Sequence, residues 1–201
     1  MDTRYAKERY ILAERNRSQY NSVEWRSFLE KLHYFLADEA ASKSMAEALA
    51  KQIEKALQLN RMSSGLIVYL KGDLGAGKSY LSRALIQYFL PGQKVKSPTY
   101  TLVESYPVEL EQGDLMIHHF DLYRLCEPEE LEYLAIRDIL QGKFLALVEW
   151  PQNGQPVLPN ADLLIEIQHL DEGRNLSIRL QSDKGQQLMQ SFEFGGLSPV
   201  L

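Results

Sequence analysis

Two regions of the chain repeat apolar residues at helical spacing, and a continuous apolar run lies between them. The first repeat, within residues 38–59, consists of Met45, Leu49, Ile53, Ala56 and Leu57. Residues 65–70 carry no charge, as in a strand that is buried on both faces. Residues 80–90 carry the second repeat, which stops at Pro91-Gly92. The pattern therefore predicts a helix, a buried strand, a glycine-rich loop and a second helix, in that order.

Short runs of apolar and β-branched residues predict five more strands in the rest of the chain. They cover residues 100–106, 115–120, 144–149, 163–168 and 176–180. Helical patterns predict helices at residues 128–134 and 184–192. Strands interspersed with helices predict an α/β fold, namely a three-layer sandwich with a mixed sheet and helices on both faces. The strands around 100–120 and 163–180 are joined too briefly for a helical crossover, so we expect antiparallel pairs there.

The first 31 residues differ from the rest, because seven Lys or Arg and five Asp or Glu are interleaved with aromatic residues. This pattern predicts one or two amphipathic helices. We therefore divide the chain into an N-terminal helical extension, residues 1–33, and a main domain, residues 34–201. The extension packs on the main domain, is a loose terminus, or contacts a partner or RNA.

The composition limits the possible classes of function. Hydrophobic residues make up 45% of the chain and charged residues 24%, as in ordinary globular proteins. No apolar run approaches the roughly 20 residues of a membrane helix, and the N-terminus has no signal-peptide pattern. The single cysteine, Cys126, fits a reducing compartment, so we expect a cytoplasmic protein. The net charge of −5 argues against a protein that grips nucleic acid by itself.

Residues 72–79, GDLGAGKS, match the phosphate-binding loop pattern GxxxxGK[ST] between the predicted strand and helix. The glycines permit unusual backbone angles, and backbone N–H groups then line an anion site at the helix N-terminus. Lys78 supplies a mobile positive charge for the β- and γ-phosphates, and the Ser79 hydroxyl is an oxygen ligand suited to Mg²⁺. The loop therefore predicts ATP or GTP with Mg²⁺, and the lack of an Asn-Lys-x-Asp motif favours ATP.

Two acidic residues follow predicted buried strands, where a P-loop protein needs a carboxylate to hold the metal or to order water. Glu149 ends the apolar run at 144–148, in the Walker-B position. Burying a carboxylate alone is costly, so we expect Glu149 to be solvated, paired or metal-bound. Asp121 follows another strand, and its alternative role is a salt bridge to Arg124 or Arg137. The spacing leaves open which acid orders the water.

Several neighbouring residues have two interpretations. Residues 97–101, SPTYT, form either a switch loop whose hydroxyls sense the γ-phosphate or a plain entry to a strand. His118 and His119 point to opposite faces of a strand without zinc-type spacing, so both are interpreted as structural. Trp150 is interpreted as a packing residue, and its alternative role is to cover the metal site.

Six segments in order, GDLGAGKS, SPTYTLVESY, HFDLYRL, EPEELEYLAIRD, LVEWP and VLP, together resemble the TsaE (formerly YjeE) family. The resemblance covers roughly residues 36–180. It implies a P-loop ATPase of bacterial tRNA threonylcarbamoyladenosine synthesis, which docks on the TsaB–TsaD heterodimer and hydrolyses ATP without performing the transfer. It also implies contact with tRNA only through that complex.

The resemblance assigns roles at matching positions. The implied catalytic residues are Lys78, Asp121 and Glu149, and the implied metal ligands are Ser79 and Glu149. The implied nucleotide contacts are Gly72, Asp73, Leu74, Gly75, Ala76, Gly77, Lys78, Ser79, Tyr80, Thr99 and Thr101. Two features depart from the family pattern: Ser79-Tyr80 replaces the usual Thr-Thr, and residues 1–33 extend beyond the usual start.

Two other functions are compatible with a P-loop. A small-molecule kinase would use Asp121 as the base for a substrate hydroxyl, but no Arg-rich lid is evident in the sequence. A binding module would hold ATP without cleaving it. The sequence shows no obvious arginine finger, so an ATPase of this kind is expected to be slow alone and faster when a partner orders its switch segment.

Overall fold

The computed structural model describes residues 31–59, 65–111, 113–190 and 192, in which seven strands and five α-helices are found. The strands are β1 (Lys31–Leu36), β2 (Leu66–Lys71), β3 (Val103–Val108), β4 (Leu115–Asp121), β5 (Phe144–Glu149), β6 (Leu163–His169) and β7 (Arg174–Leu180). The helices are α1 (Glu39–Gln58), α2 (Lys78–Phe89), α3 (Glu130–Tyr133), α4 (Ile136–Ile139) and α5 (Asp183–Met189), with a 3-10 helix at Pro151–Gly154.

All seven strands form one mixed sheet in the order β1-β7-β6-β2-β5-β4-β3. The four strands β6, β2, β5 and β4 run parallel, whereas β3 pairs antiparallel with β4, and β7 pairs antiparallel with both β6 and β1. Strand β5 is buried at every position, which explains its unbroken apolar run. Because parallel strands end at the same edge, the segments that follow β2, β4 and β5 meet there.

Helices cover both faces of the sheet, as the sequence predicts. On one face, α1, α2 and α5 bury an apolar core that includes Met45, Ile53 and Ile86 against the sheet. On the other face, a smaller core around Phe120 and Val148 is covered by the short helices α3 and α4 and by the chain after β5. None of the helices in the described ranges is both long and apolar enough to span a bilayer.

Two predicted boundaries are wrong. The strand predicted from residue 100 begins at Val103, because residues 98–102 form a turn in which Leu102 N donates to Pro98 O at 2.7 Å. Leu102 has a φ of 62°, which a strand does not allow. The helix predicted at 128–134 is shortened to α3, and a second short helix, α4, follows it after Ala135 at φ 53°.

The strand β1 has no counterpart in the sequence prediction, and the boundary after residue 33 falls inside it. Its alternating Leu32, Tyr34 and Leu36 are buried, as in a strand with one face on the core. Pairing with β7 joins residues 31–33 to the main sheet. The predicted helices of the extension lie outside the described residues.

Candidate functional site

The glycine-rich loop connects the carboxyl end of β2 with the first turn of α2. Gly72 has a φ of 146°, and a Cβ there would lie 2.3 Å from Ile167 O, so only glycine fits. Gly77, at φ 110°, precedes α2, and no side chain caps this helix. The N–H groups of the first turn of α2 therefore have no capping side chain, and at the positive end of the helix dipole they are available to bind an anion.

Lys78 is buried at the centre of this loop. Its Nζ donates to Gly72 O at 2.8 Å and to Asp73 O at 2.9 Å, and it lies 4.0 Å from the centre of the Trp150 ring. Burial lowers the pKa of the Lys78 ammonium, and the charges of Glu149 and other nearby acids oppose this shift. The loop's own carbonyls thus hold a cation that phosphate oxygens can take over.

Ser79, Glu149 and His119 form a continuous hydrogen-bonded chain beside the loop. The Ser79 hydroxyl donates to Glu149 Oε2 at 2.7 Å, and His119 Nε2 lies 2.7 Å from Glu149 Oε1. Glu149 and His119 are 2% and 0% exposed, so the carboxylate is held by these two partners in a site without bulk water. Parallel pairing of β2 with β5 brings Leu70 opposite Glu149, which sets this acid next to the loop.

Asp121 lies opposite Glu149 in the register of β4 and β5, but it has different partners. Its Oδ2 accepts hydrogen bonds from the hydroxyls of Ser97 and Thr99, the latter at 2.9 Å, and its Oδ1 accepts from Tyr123 N at 3.2 Å. The turn that ends at Leu102 brings these hydroxyls to the acid. Two hydroxyls of residues 97–99 are thus attached to Asp121.

A cavity of about 200 Å³ adjoins the loop on the side away from Asp121's partners. The loop residues 75–77 line one wall, and Tyr80, Glu39, Ile167 and Arg174 line the others. Arg174 Nε donates to Ala76 O at 2.9 Å and so fastens the start of β7 to the loop. The cavity has both apolar and hydrogen-bonding walls next to the glycine-rich loop.

The residues at this edge fit a magnesium ion. Mg²⁺ is usually bound through one or two protein oxygens plus substrate phosphates and water. Ser79 and Glu149 supply such oxygens side by side. The described residues contain no group of three or more His, Cys, Asp or Glu side chains that could hold a metal without a nucleotide.

The structure brings most of the predicted site residues together and separates one from them. Lys78, Ser79, Asp121 and Glu149 meet at the carboxyl ends of β2, β4 and β5, with the Thr99 hydroxyl on Asp121. Thr101 is exposed, and its hydroxyl donates to Glu104 Oε1 at 3.3 Å instead.

The alternative interpretations of neighbouring residues have clear outcomes. Asp121 forms no salt bridge with Arg124 or Arg137: Arg124 lies over the Tyr100 ring at 4.5 Å, and Arg137 bonds to Glu132. Trp150 covers Lys78. His118 bonds to Ser105 at 2.8 Å, away from the site, in agreement with a structural role.

The sequence analysis interpreted His119 as structural, gave Arg174 no role, and did not foresee that Ser97 of the predicted switch loop bonds to Asp121. His119 contacts Glu149, Ser97 contacts Asp121, and Arg174 contacts the loop. For His119 the available signal was its position two residues before Asp121, on the same face of the strand. Arg174 had no local signal, because 98 residues separate it from Ala76.

A phosphate-binding loop after a central parallel strand, with acids at the ends of the next two strands, defines the P-loop NTPase fold class. The crystal structure of Bacillus subtilis YdiB has the same fold, with a TM-score of 0.57 and 23% identity over 81% of this chain and 93% of YdiB. The chain belongs to the TsaE family, since the family model described as "Threonylcarbamoyl adenosine biosynthesis protein TsaE" matches residues 36–176.

Two relatives named "tRNA threonylcarbamoyladenosine biosynthesis protein TsaE" show how far the similarity extends. The Haemophilus influenzae protein is 41% identical over 169 residues, which cover 82% of this chain and 99% of the relative. The Rickettsia conorii protein is 34% identical over 136 residues, which cover 67% of this chain and 72% of the relative. The family resemblance inferred from the sequence segments is therefore confirmed.

Proposed function

We propose that this protein binds and hydrolyses ATP with Mg²⁺ in tRNA threonylcarbamoyladenosine biosynthesis, acting in the cytoplasm on the TsaB–TsaD pair without performing the transfer. The pathway is supported by the names of its relatives. The observation that carries the ATPase proposal is the hydrogen bond between Ser79 and Glu149 beside Lys78, at an uncapped helix N-terminus. A cation, an anion site and a metal-binding pair stand together there.

ATP would bind along the loop with its phosphates on the N–H groups that precede and begin α2. Lys78 then exchanges its bonds to Gly72 O and Asp73 O for bonds to the β- and γ-phosphates. The adjoining cavity, with Tyr80 and Arg174 in its walls, receives the nucleoside. The sequence contains no guanine-specific Asn-Lys-x-Asp motif, which favours ATP.

Hydrolysis is an in-line attack of water on the γ-phosphate, for which the chain supplies positioning and charge. Mg²⁺ held by Ser79 and Glu149 would neutralise negative charge on the phosphates. Lys78 stabilises the charge that develops on the γ-phosphate oxygens. Asp121 orders the water through Oδ2 once the hydroxyls of Ser97 and Thr99 turn from it to the γ-phosphate. Residues 97–99, the first part of the predicted switch loop 97–101, are thereby the switch segment.

The isolated protein is expected to turn over slowly. Among the described residues, Arg124 lies on Tyr100 and Arg174 is bonded to the loop backbone, so neither is free to serve as an arginine finger. Leu74 in the loop and Tyr100 beside the switch segment are 72% and 83% exposed. A partner that docks on these side chains would cover the site and order the switch segment.

The experiment measures ATP turnover and ATP-dependent association with purified TsaB–TsaD. We expect tight association with ATP and Mg²⁺, inorganic phosphate as the sole product, and a rise in modified tRNA. Asp121→Asn should retain ATP binding but lose roughly 100-fold or more of the turnover rate. Thr101→Ala is the matched control, because Thr101 lies outside the cluster, and it should behave as wild type.

Three results would contradict the proposal in different parts. No magnesium-dependent binding of ATP rejects the nucleotide site. A phosphorylated metabolite in place of phosphate identifies a kinase. Association that does not depend on nucleotide rejects ATP-controlled action on TsaB–TsaD.

A further inference from the structure

His119 makes one side-chain hydrogen bond among the described residues, and this bond goes to the proposed metal ligand. Its Nε2 lies 2.7 Å from Glu149 Oε1, while its Nδ1 is buried with no hydrogen-bond partner in the described part of the chain. Burying a polar ring with an unpartnered nitrogen is costly, and an apolar side chain would fill the same space at lower cost. The contact with Glu149 is therefore what the imidazole supplies and an apolar side chain would not.

The geometry of Glu149 explains what this contact does. A glutamate side chain has three rotatable bonds, and either oxygen can face a metal. Here Nε2 donates to Oε1, which leaves Oε2 facing the Ser79 hydroxyl. Ser79 can donate its hydrogen to Oε2 and still offer an oxygen lone pair to a cation. The orientation of both proposed ligands thus depends on the bond to His119.

We propose that His119 is a positioning residue of the magnesium site, whose Nε2–H fixes the Glu149 carboxylate so that Oε2 and the Ser79 oxygen are presented together. Hydrogen bonds to ligating carboxylates act in this way in metal sites, and their loss typically costs 10–100-fold in metal affinity. The inference rests on the proposed function, because it concerns the metal bound with the nucleotide.

The adjacent His118 provides a matched control. It lies on the same strand, is 5% exposed, and bonds to Ser105 on the other face of the sheet. A change of imidazole to phenyl at either position removes a buried hydrogen bond from β4. Only the change at position 119 removes a bond to Glu149.

The experiment compares His119→Phe, His119→Gln and His118→Phe in the full chain by titration calorimetry with ADP. Each protein is titrated with ADP in Mg²⁺ and in EDTA. The dissociation constant in EDTA divided by that in Mg²⁺ measures the coupling between metal and nucleotide. We expect His119→Phe to lower this ratio about tenfold, with ADP affinity in EDTA unchanged. His119→Gln should restore most of the ratio, because its amide N–H reaches the position of Nε2. His118→Phe should leave the ratio as in the wild type.

Other results overturn the inference. An unchanged ratio in His119→Phe, or an equal loss in His118→Phe, shows that His119 only supports the fold. If His119→Phe does not fold, His119→Asn replaces it, because the shorter amide reaches only the position of Nδ1; equal ratios for the Asn and Gln variants then reject the role. A ratio of one for wild-type protein with ADP, beside magnesium-dependent binding of ATP, rejects the positioning role alone. No ADP binding in either condition rejects the proposed function itself.

Discussion

Both ends of β2 lie against a buried carboxylate, but the two carboxylates have different partners. At the amino end, Asp162 Oδ2 accepts from Ile67 N at 2.9 Å and lies 3.3 Å from Lys184 Nζ, while Oδ1 accepts from Ser182 Oγ at 2.6 Å. At the carboxyl end, Glu149 is bonded to a hydroxyl and an imidazole. Lys78 forms no ion pair with any described acid there, since its ammonium donates to loop carbonyls.

These partners suggest different roles for the two clusters: the one around Asp162 stabilises the fold, and the one around Glu149 is the candidate ligand site. The ion pair at the amino end is complete within the chain and ties the start of β2 to α5. At the carboxyl end, the Lys78 ammonium and the Glu149 carboxylate each form hydrogen bonds with other groups and not with each other. Buried charges without a direct opposite partner are costly, and the proposed magnesium–phosphate ligand would supply charge of both signs.

The largest expected effect is the loss of ATP affinity when Lys78 is replaced. Lys78→Ala should weaken ATP binding at least roughly 100-fold, about 3 kcal/mol, because the phosphates lose their charge-assisted hydrogen bonds. The free energy of unfolding should change by less than about 1 kcal/mol, since relief of the desolvation penalty offsets the lost bonds to the loop. Calorimetry and urea denaturation measure the two quantities. Lys71→Ala, at the end of β2, is the control and should bind ATP normally.

The opposite result is expected at Asp162. Asp162→Ala should lower the free energy of unfolding by about 2–3 kcal/mol, because Ile67 N loses its side-chain acceptor and Lys184 loses its carboxylate. ATP affinity of the folded protein should stay as in the wild type. Urea denaturation with and without ATP tests this. A loss of affinity without a loss of stability would mean that the two clusters do not differ in role.

A smaller effect is expected at Arg174, which connects β7 to the loop. Arg174→Ala should lower ATP affinity about tenfold, about 1.4 kcal/mol, because the loop loses one hydrogen bond and the cavity proposed for the nucleoside loses a wall. Arg179→Ala is the control on the same strand, since Arg179 faces Glu166 on the surface. Equal affinities for the two variants would exclude Arg174 from the nucleotide site.

The smallest effect is expected at His118, a buried polar group outside both clusters. Burial lowers the pKa of His118 below its ordinary value of about 6.5. As the pH falls, the unfolded chain therefore takes up a proton on this histidine before the folded chain does. The contribution of neutral His118 to the free energy of unfolding is thus complete above about pH 6.5 and is lost towards the lowered pKa. Urea denaturation at pH 7.5 and 5.5 should show a weaker pH dependence in His118→Gln than in the wild type. A pH dependence that is the same in His118→Gln and in the wild type would contradict the lowered pKa of His118.

The prediction from sequence was most accurate where neighbouring residues carry the pattern. The strand β5 was predicted at its observed bounds, and α1 was predicted within a residue at each end. Strand β1 was missed although its buried residues alternate, because the charged residues before it suggested a helical extension. The start of β3 was misplaced, since Leu102 adopts a positive φ that its residue type does not announce.

The sequence by itself determined the phosphate loop and the two acids at strand ends, because glycine spacing and buried apolar runs are local signals. The tertiary structure alone decided which groups those acids meet. Ser79 and Glu149 are 70 residues apart, and His119 and Glu149 are 30 apart. Their contacts exist because parallel strands from distant parts of the chain end at one edge of the sheet. Hydrogen-bond partners depend on strand order and register, which arise from the packing of the whole domain.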